Sequence, residues 1–214
     1  MIDIIKIANG LPISVIVPLQ EKRKWFFYQF VMPLLVANSP AEIIINTNEG
    51  GAAKKRNEGF RVSTCPFVLF SDDDILFPKD YFKTLYADIS DSECGYVYTG
   101  YDGIILNSAT NEAKNNFSID TIDFDPDIFK EKNFISTMSL MKRELFPYFD
   151  ETISRLLDYD LYLNMLSKGI RGKAVHGIKF YAFYLDDGIT SIKNELNYIK
   201  IRNKYSDLFE GEVE

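Results

Sequence analysis

Three short apolar runs constrain the fold more than any other feature of this chain. Residues 13–17 read Ile-Ser-Val-Ile-Val, residues 42–46 read Glu-Ile-Ile-Ile-Asn, and residues 66–70 read Pro-Phe-Val-Leu-Phe. Each is short and rich in β-branched or aromatic residues, so each reads as a buried strand. Residues 22–37 lie between the first two runs. They are charged at the front, then aromatic and aliphatic, and read as a helix kinked near Pro33. Residues 52–61 lie between the second and third and read as a short helix carrying Lys54, Lys55 and Arg56. Strand, helix, strand, helix, strand is the pattern of an α/β domain with a mostly parallel sheet flanked by helices. Ligands in such sheets bind beyond the carboxyl ends of the strands. That rule directs residues 18–20, 46–48 and 71–74 to one crevice.

The third run ends on three consecutive carboxylates, Asp72, Asp73 and Asp74, followed by Ile75, Leu76, Phe77 and Pro78. At about 4 Å two like charges repel by roughly 1 kcal/mol in water and several-fold more near a protein surface. A hard divalent cation with oxygen ligands relieves such repulsion. An acidic turn before a helix starting near Pro78 accounts for the same residues. The residues alone leave both readings open.

The second half is less regular. Residues 79–89 read as a helix and residues 95–101 as a strand. The Asn- and Asp-rich residues 107–127 read as a long loop, residues 134–142 as a strand, and residues 155–168 as a helix. Residues 173–185 read as a strand, and residues 193–206 as a C-terminal helix before an acidic tail. With 214 residues, 46% of them hydrophobic, including 17 Phe and 13 Tyr, the chain has material for one large core. A net charge of −7 argues against a broad phosphate-backbone footprint, so nucleic acid is not the expected partner. Cys65 and Cys94 make no disulfide framework, and no apolar run approaches the length of a membrane span. A cytoplasmic location is the expectation.

Four ordered segments carry a resemblance to family 2 glycosyltransferases, inverting nucleotide-sugar enzymes of the GT-A fold. Ile13-Ser14-Val15-Ile16-Val17-Pro18 is similar to that family's opening strand. Lys55-Arg56-Asn57-Glu58-Gly59-Phe60 is similar to its Ala-Arg-Asn-x-Gly helix, and Ser71-Asp72-Asp73-Asp74-Ile75-Leu76 to its Asp-x-Asp strand end. Phe149-Asp150-Glu151 with Leu157-Asp158-Tyr159-Asp160-Leu161 is similar to its Phe-Asp-Glu and Glu-Asp-x-Asp-Leu segments.

The resemblance implies one domain over residues 1–214. Its nucleotide-binding half spans about 1–100 and its acceptor-binding half about 101–192, followed by the helix and tail 193–214. It also implies a nucleotide-diphosphate sugar donor, a uridine one favoured, and Mn²⁺ or Mg²⁺ as a Lewis acid on the departing diphosphate. Asp73 and Asp74 are the implied metal contacts, and Pro18, Leu19, Asn46, Arg56 and Asp72 the implied donor contacts. Asp158 is the implied base for the acceptor hydroxyl, with Tyr159 and Asp160 in acceptor or support roles. The acceptor is a glycan, a lipid-linked sugar or another hydroxyl compound.

The sequence departs from the family pattern at four places. Ser71 stands at the first acidic position, Leu157 where the family has Glu, Asn46 where it has an Asp that reads the base, and Asp186 near the position of a C-terminal His. His176, the lone histidine, reads as structural, Asn57 as a loop organiser, and Trp25 as core. These departures motivate a second reading, a non-catalytic GT-A-like module that binds nucleotide or glycan or serves as a partner subunit. A nucleotidyltransferase ranks third, because no Gly-rich triphosphate loop follows the first strand.

Overall fold

The computed structural model describes residues 1–107, 110, 112–185 and 195–209. Its main sheet has seven strands in the order β1-β3-β2-β4-β9-β6-β10. These are β1 (Ile2–Lys6), β2 (Leu11–Pro18), β3 (Pro40–Asn46), β4 (Phe67–Phe70), β6 (Tyr96–Tyr98), β9 (Leu140–Lys142) and β10 (Gly172–Ala174). The three apolar runs are the adjacent parallel strands β3, β2 and β4, as their composition predicts. Strands β1 and β9 run against their neighbours, so the sheet is mostly parallel rather than wholly so. Strand β9 belongs to the second half of the sequence yet lies between β4 and β6 of the first, so the two halves share one sheet.

A second sheet has the order β5-β11-β7-β8, with β5 (Ile75–Leu76), β7 (Tyr101–Leu106), β8 (Ala113–Ile119) and β11 (Phe180–Leu185). It overturns the expectation of a loop across 107–127. Ala113–Ile119 pairs antiparallel with β7, and Pro126–Glu131 forms helix α5, capped by the Asp125 carboxylate. Residues 173–185 likewise divide into two strands in different sheets.

One core layer lies on each face of the main sheet. Side chains alternate along β2, so Ile13, Val15 and Val17 face one layer and Ile16 the other. Helix α3 (Ala52–Val62) covers the Ile16 side. A Cβ on Gly59 would lie 2.5 Å from Ile16 Cγ2, so the glycine is what lets α3 sit flat on β2. Between β2 and β3 the expected helix is composite: α1 (Lys24–Phe26), a π-helical turn (Phe27–Val31), then α2 (Met32–Ala37). Pro33 has no N–H to give, and its ring crowds the carbonyl four residues back; the wide turn just before it accommodates both. Trp25 is 70% exposed, not part of the core as its type suggested. Helices α4 (Tyr81–Ser90), α6 (Leu157–Ser167) and α7 (Glu195–Lys204) complete the layers.

Candidate functional site

Strands β2, β3 and β4 end side by side, which brings Pro18, Asn46 and the 71–74 run to one edge. Leu19 N–H donates to the Asn46 carbonyl at 3.0 Å, and Lys55 Nζ reaches the Leu19 carbonyl at 3.0 Å. Pro18 and Leu19 are buried, so this edge offers backbone rather than side chains. Asn46 is fully buried and heavily bonded. Its Nδ2 donates to the Lys55 carbonyl and to Glu58 Oε2, each at 2.9 Å, and its Oδ1 accepts Asn48 N–H. Asn48 Nδ2 joins the same Glu58 oxygen at 2.8 Å. Asn46 therefore fixes the loop after β3 to α3 through its amide.

The three acids diverge. Asp73 is buried, with Oδ2 on Gln20 N–H at 2.8 Å and Oδ1 on Arg23 Nη1 at 2.9 Å. The same Nη1 bonds Asp74 Oδ2, whereas Asp72 Oδ1 is bonded by Arg56 Nη2. Burial pushes the Asp73 carboxyl above its usual range and that of Asp74 up to about 7; Arg23 pulls both the other way. Ser71 is buried, and its hydroxyl donates to the Asp72 carbonyl. Among the described residues no three acidic, His or Cys side chains converge on one point. Both Asp73 oxygens and one oxygen each of Asp72 and Asp74 are bonded to guanidinium or backbone N–H groups, so the acids as arranged fit a divalent cation only if it displaces Arg23 or Arg56. His176 lies apart, on Asp123 Oδ1 at 2.8 Å, and Asp186 lies outside the described residues.

Arg56 links the acids to the second half. It is buried, its guanidinium stands 5.3 Å from the Phe149 ring centre, and its charge acts on Asp158. Asn57 beside it bonds the 149–151 segment from both ends of its amide: Nδ2 donates to the Phe149 carbonyl and Glu151, and Oδ1 accepts Phe149 N–H. Asn57 is thus the loop organiser its place in the motif suggests.

Asp158 stands in the first turn of α6, where the helix dipole favours a carboxylate. The residue before that helix, Leu156, has φ 58°, a left-handed conformation that costs a non-glycine residue on the order of 1 kcal/mol or more. Asp158 lies on the wall of a cleft of about 320 Å³, formed with Tyr101, Ser118, Asp120, Asn133, Phe134 and Ser136 among others. Tyr159 N–H donates to its Oδ1 at 2.9 Å, and Asn133 bonds its carboxylate. Burial raises its pKa above the usual carboxylate range, against the opposing pull of these hydrogen bonds and of Arg56.

Two residues expected beside Asp158 turn away from the cleft. Tyr159 is buried, its hydroxyl donates to the Lys130 carbonyl, and its ring stacks on Tyr198 at 5.7 Å. Asp160 is buried and accepts from Lys204 Nζ at 2.8 Å and Tyr205 Oη at 3.1 Å. Helical spacing explains this, since residues one and two beyond Asp158 point to other faces of α6. Both bind the C-terminal helix rather than the acceptor side. Arg23 and Asn133 are the site residues that motif reading missed. Each is recognisable only by its partner, which for Arg23 lies 50 residues away.

The sequence model of glycosyl transferase family 2 matches residues 31–149, more than half of the chain. No curated protein matches the sequence. The structure is similar to that of S. aureus TarS 1–349, with a TM-score of 0.62 at 16% identity, covering 95% of this chain and 67% of that one. Its complex with UDP matches with a TM-score of 0.60 at 16% identity, covering 95% and 67%. Its complex with UDP-GlcNAc gives 0.60 at 16%, covering 95% and 68%. The common architecture is the GT-A fold. Among the described residues no helix is long and apolar enough to cross a membrane.

Proposed function

Because the chain belongs to glycosyl transferase family 2, we propose that it transfers a sugar from a nucleotide-diphosphate donor to an acceptor hydroxyl with inversion at the anomeric carbon. The observation that carries this reading is the position of Arg56, bonded to Asp72 at the strand edge and acting through its charge on Asp158 at the cleft. A uridine donor is favoured, since the structurally similar TarS binds UDP and UDP-GlcNAc.

In this reading the nucleotide lies along the ends of β2, β3 and β4, and the acceptor enters the cleft bounded by residues 101–136. Asp158 takes the proton of the acceptor hydroxyl. The oxygen attacks the anomeric carbon, a new C–O bond forms, and the bond to the diphosphate breaks on the opposite face. The raised pKa of Asp158 suits a base, which works best near the operating pH. Arg56 stands between the strand-end acids and the cleft. It steadies Asp72 and favours the ionised form of Asp158. Tyr101, whose ring stacks on Phe180, lines the cleft that would receive the acceptor. A resident Mn²⁺ or Mg²⁺ would supply Lewis acidity to the leaving diphosphate, but Asp72, Asp73 and Asp74 as bonded to Arg56 and Arg23 do not fit one.

The test is transfer or hydrolysis of UDP-sugars by wild type and Asp158→Asn over a panel of glycan and lipid-linked acceptors. Loss of turnover with UDP binding kept supports the reading, and full activity in Asp158→Asn overturns the assignment of the base. The second reading, a binding module without turnover, is favoured by the internal bonding of Asn46, Asp73 and Asp74. Calorimetry separates the two, since donor binding without turnover in wild type points to the module.

A further inference from the structure

Arg23 lies at the end of a 3₁₀ turn (Glu21–Arg23) separated from β2 by Leu19 and Gln20. One nitrogen, Nη1, bonds both Asp73 Oδ1 and Asp74 Oδ2, while Asp73 Oδ2 is taken by Gln20 N–H at 2.8 Å. The side chains of Asp73 and Asp74 are 3% and 18% exposed and that of Arg23 is 26% exposed, so the pair of acids is enclosed and the cation reaches solvent. Both bonds of Arg23 to the acids come from Nη1, which leaves Nε and Nη2 for a further anion. The third acid has its own cation, Arg56, on Asp72.

The guanidiniums of Arg23 and Arg56 thus offset two of the three carboxylate charges at this strand end. A divalent ion entering between Asp73 and Asp74 would have to displace Arg23 and leave that guanidinium beside a second cation. A guanidinium is permanently charged, and its planar fork matches phosphate oxygens.

We infer that Arg23 is a built-in cation that takes the place of a divalent metal between the strand-end acids and the donor's diphosphate. This rests on the donor reading above. Asp73 and Asp74 then act as positioning residues that aim Arg23, and donor binding is independent of divalent ions.

The probe is UDP, titrated calorimetrically into the full chain in excess EDTA and again in Mn²⁺. A bridging metal and UDP would strengthen each other's binding by a common factor, about fivefold or more. The expected result for wild type is the same affinity in both buffers within about twofold. Arg23→Gln should weaken binding in EDTA by about tenfold to a hundredfold, the value of a charge-assisted pair, and Mn²⁺ should then restore part of it. Arg23→Lys, which keeps the charge, should retain binding in EDTA and guards against a loss due only to misfolding. UDP affinity in wild type that rises about tenfold with Mn²⁺ overturns the inference. Failure of UDP to bind wild type in either buffer overturns the donor reading instead. Paramagnetic resonance of Mn²⁺ then decides on Arg23: uptake by Arg23→Gln alone supports the inference, and uptake by wild type overturns it.

Discussion

Arg56 bonds Asp72 through Nη2, and its buried Nε has no partner among the described residues. A buried, unpartnered guanidinium N–H costs on the order of 1–3 kcal/mol, so it is retained where a ligand or the site's charge balance needs it. Arg56 also pulls the Asp158 pKa down. Arg56→Met should therefore weaken UDP binding and move the acidic limb of kcat/KM to higher pH, because the base loses a cation that favours its charged form. Calorimetry and a pH profile on one preparation check both effects.

For wild type, activity should rise with pH along a limb set by Asp158, above the ordinary carboxylate value of about 4. The direction follows from burial, which favours the protonated form, while only the deprotonated form accepts a proton. Asp158→Asn should lower kcat by about 10²–10⁴-fold and abolish that limb, with UDP affinity unchanged. A profile that keeps its limb in Asp158→Asn would assign the base elsewhere.

The C-terminal helix is fastened by Lys204, which donates to Asp150 Oδ2 and Asp160 Oδ1, each at 2.8 Å. Lys204→Met leaves Asp160 buried with only Tyr205 as a side-chain donor among the described residues, and should cost about 1–3 kcal/mol in urea unfolding at neutral pH. Hydrogen bonds from Lys204 and Thr152 hold the Asp150 pKa well below its usual range. That contribution to stability is full above the unfolded pKa near 4 and fades as pH falls through the folded value. The gap between wild type and variant should therefore narrow in acid.

Gly59→Ala sets two effects against each other. Alanine raises helix propensity by about 1 kcal/mol over glycine. Its Cβ, however, would lie 2.5 Å from Ile16 Cγ2, inside a fully buried contact, and overpacking of that kind costs about 1–3 kcal/mol. The clash should win. Urea unfolding should show a lower midpoint with an unchanged slope, and a raised midpoint would mean that α3 shifts off β2 at little cost.

The parts of the fold written in buried side chains were legible. Strands β2, β3 and β4 announce themselves by runs of β-branched or aromatic residues that are buried on both faces. Strand β8 carries almost wholly exposed residues, so no apolar alternation marks it, and its pairing with β7 is what makes it a strand. Strand β1 is Ile-rich but only partly buried at the sheet edge, and its pairing with β3 is what makes it a strand. At the site, Asp158 stood out through the family pattern, whereas the cleft residues around it, Asn133 among them, did not. Arg23 did not, because it belongs to a run of charges, Glu21 to Lys24, in which only the folded chain selects one for Asp73 and Asp74. Tyr159 and Asp160 show the converse, since adjacency to a site residue on a helix says little about facing the site.

The insertion of β9 between β4 and β6 fixes an order of assembly. Residues 67–70 and 96–98 are neighbours in the sheet only through residues 140–142. A nascent chain ending before residue 140 therefore holds two open edges facing an empty slot, and such edges invite pairing with other chains. The amides of β4 and β6 that face β9 should gain protection only after the acceptor-binding half has delivered that middle strand. Pulse-labelled hydrogen exchange on β4 and β6 would follow that event, and the long loop it closes predicts slow folding.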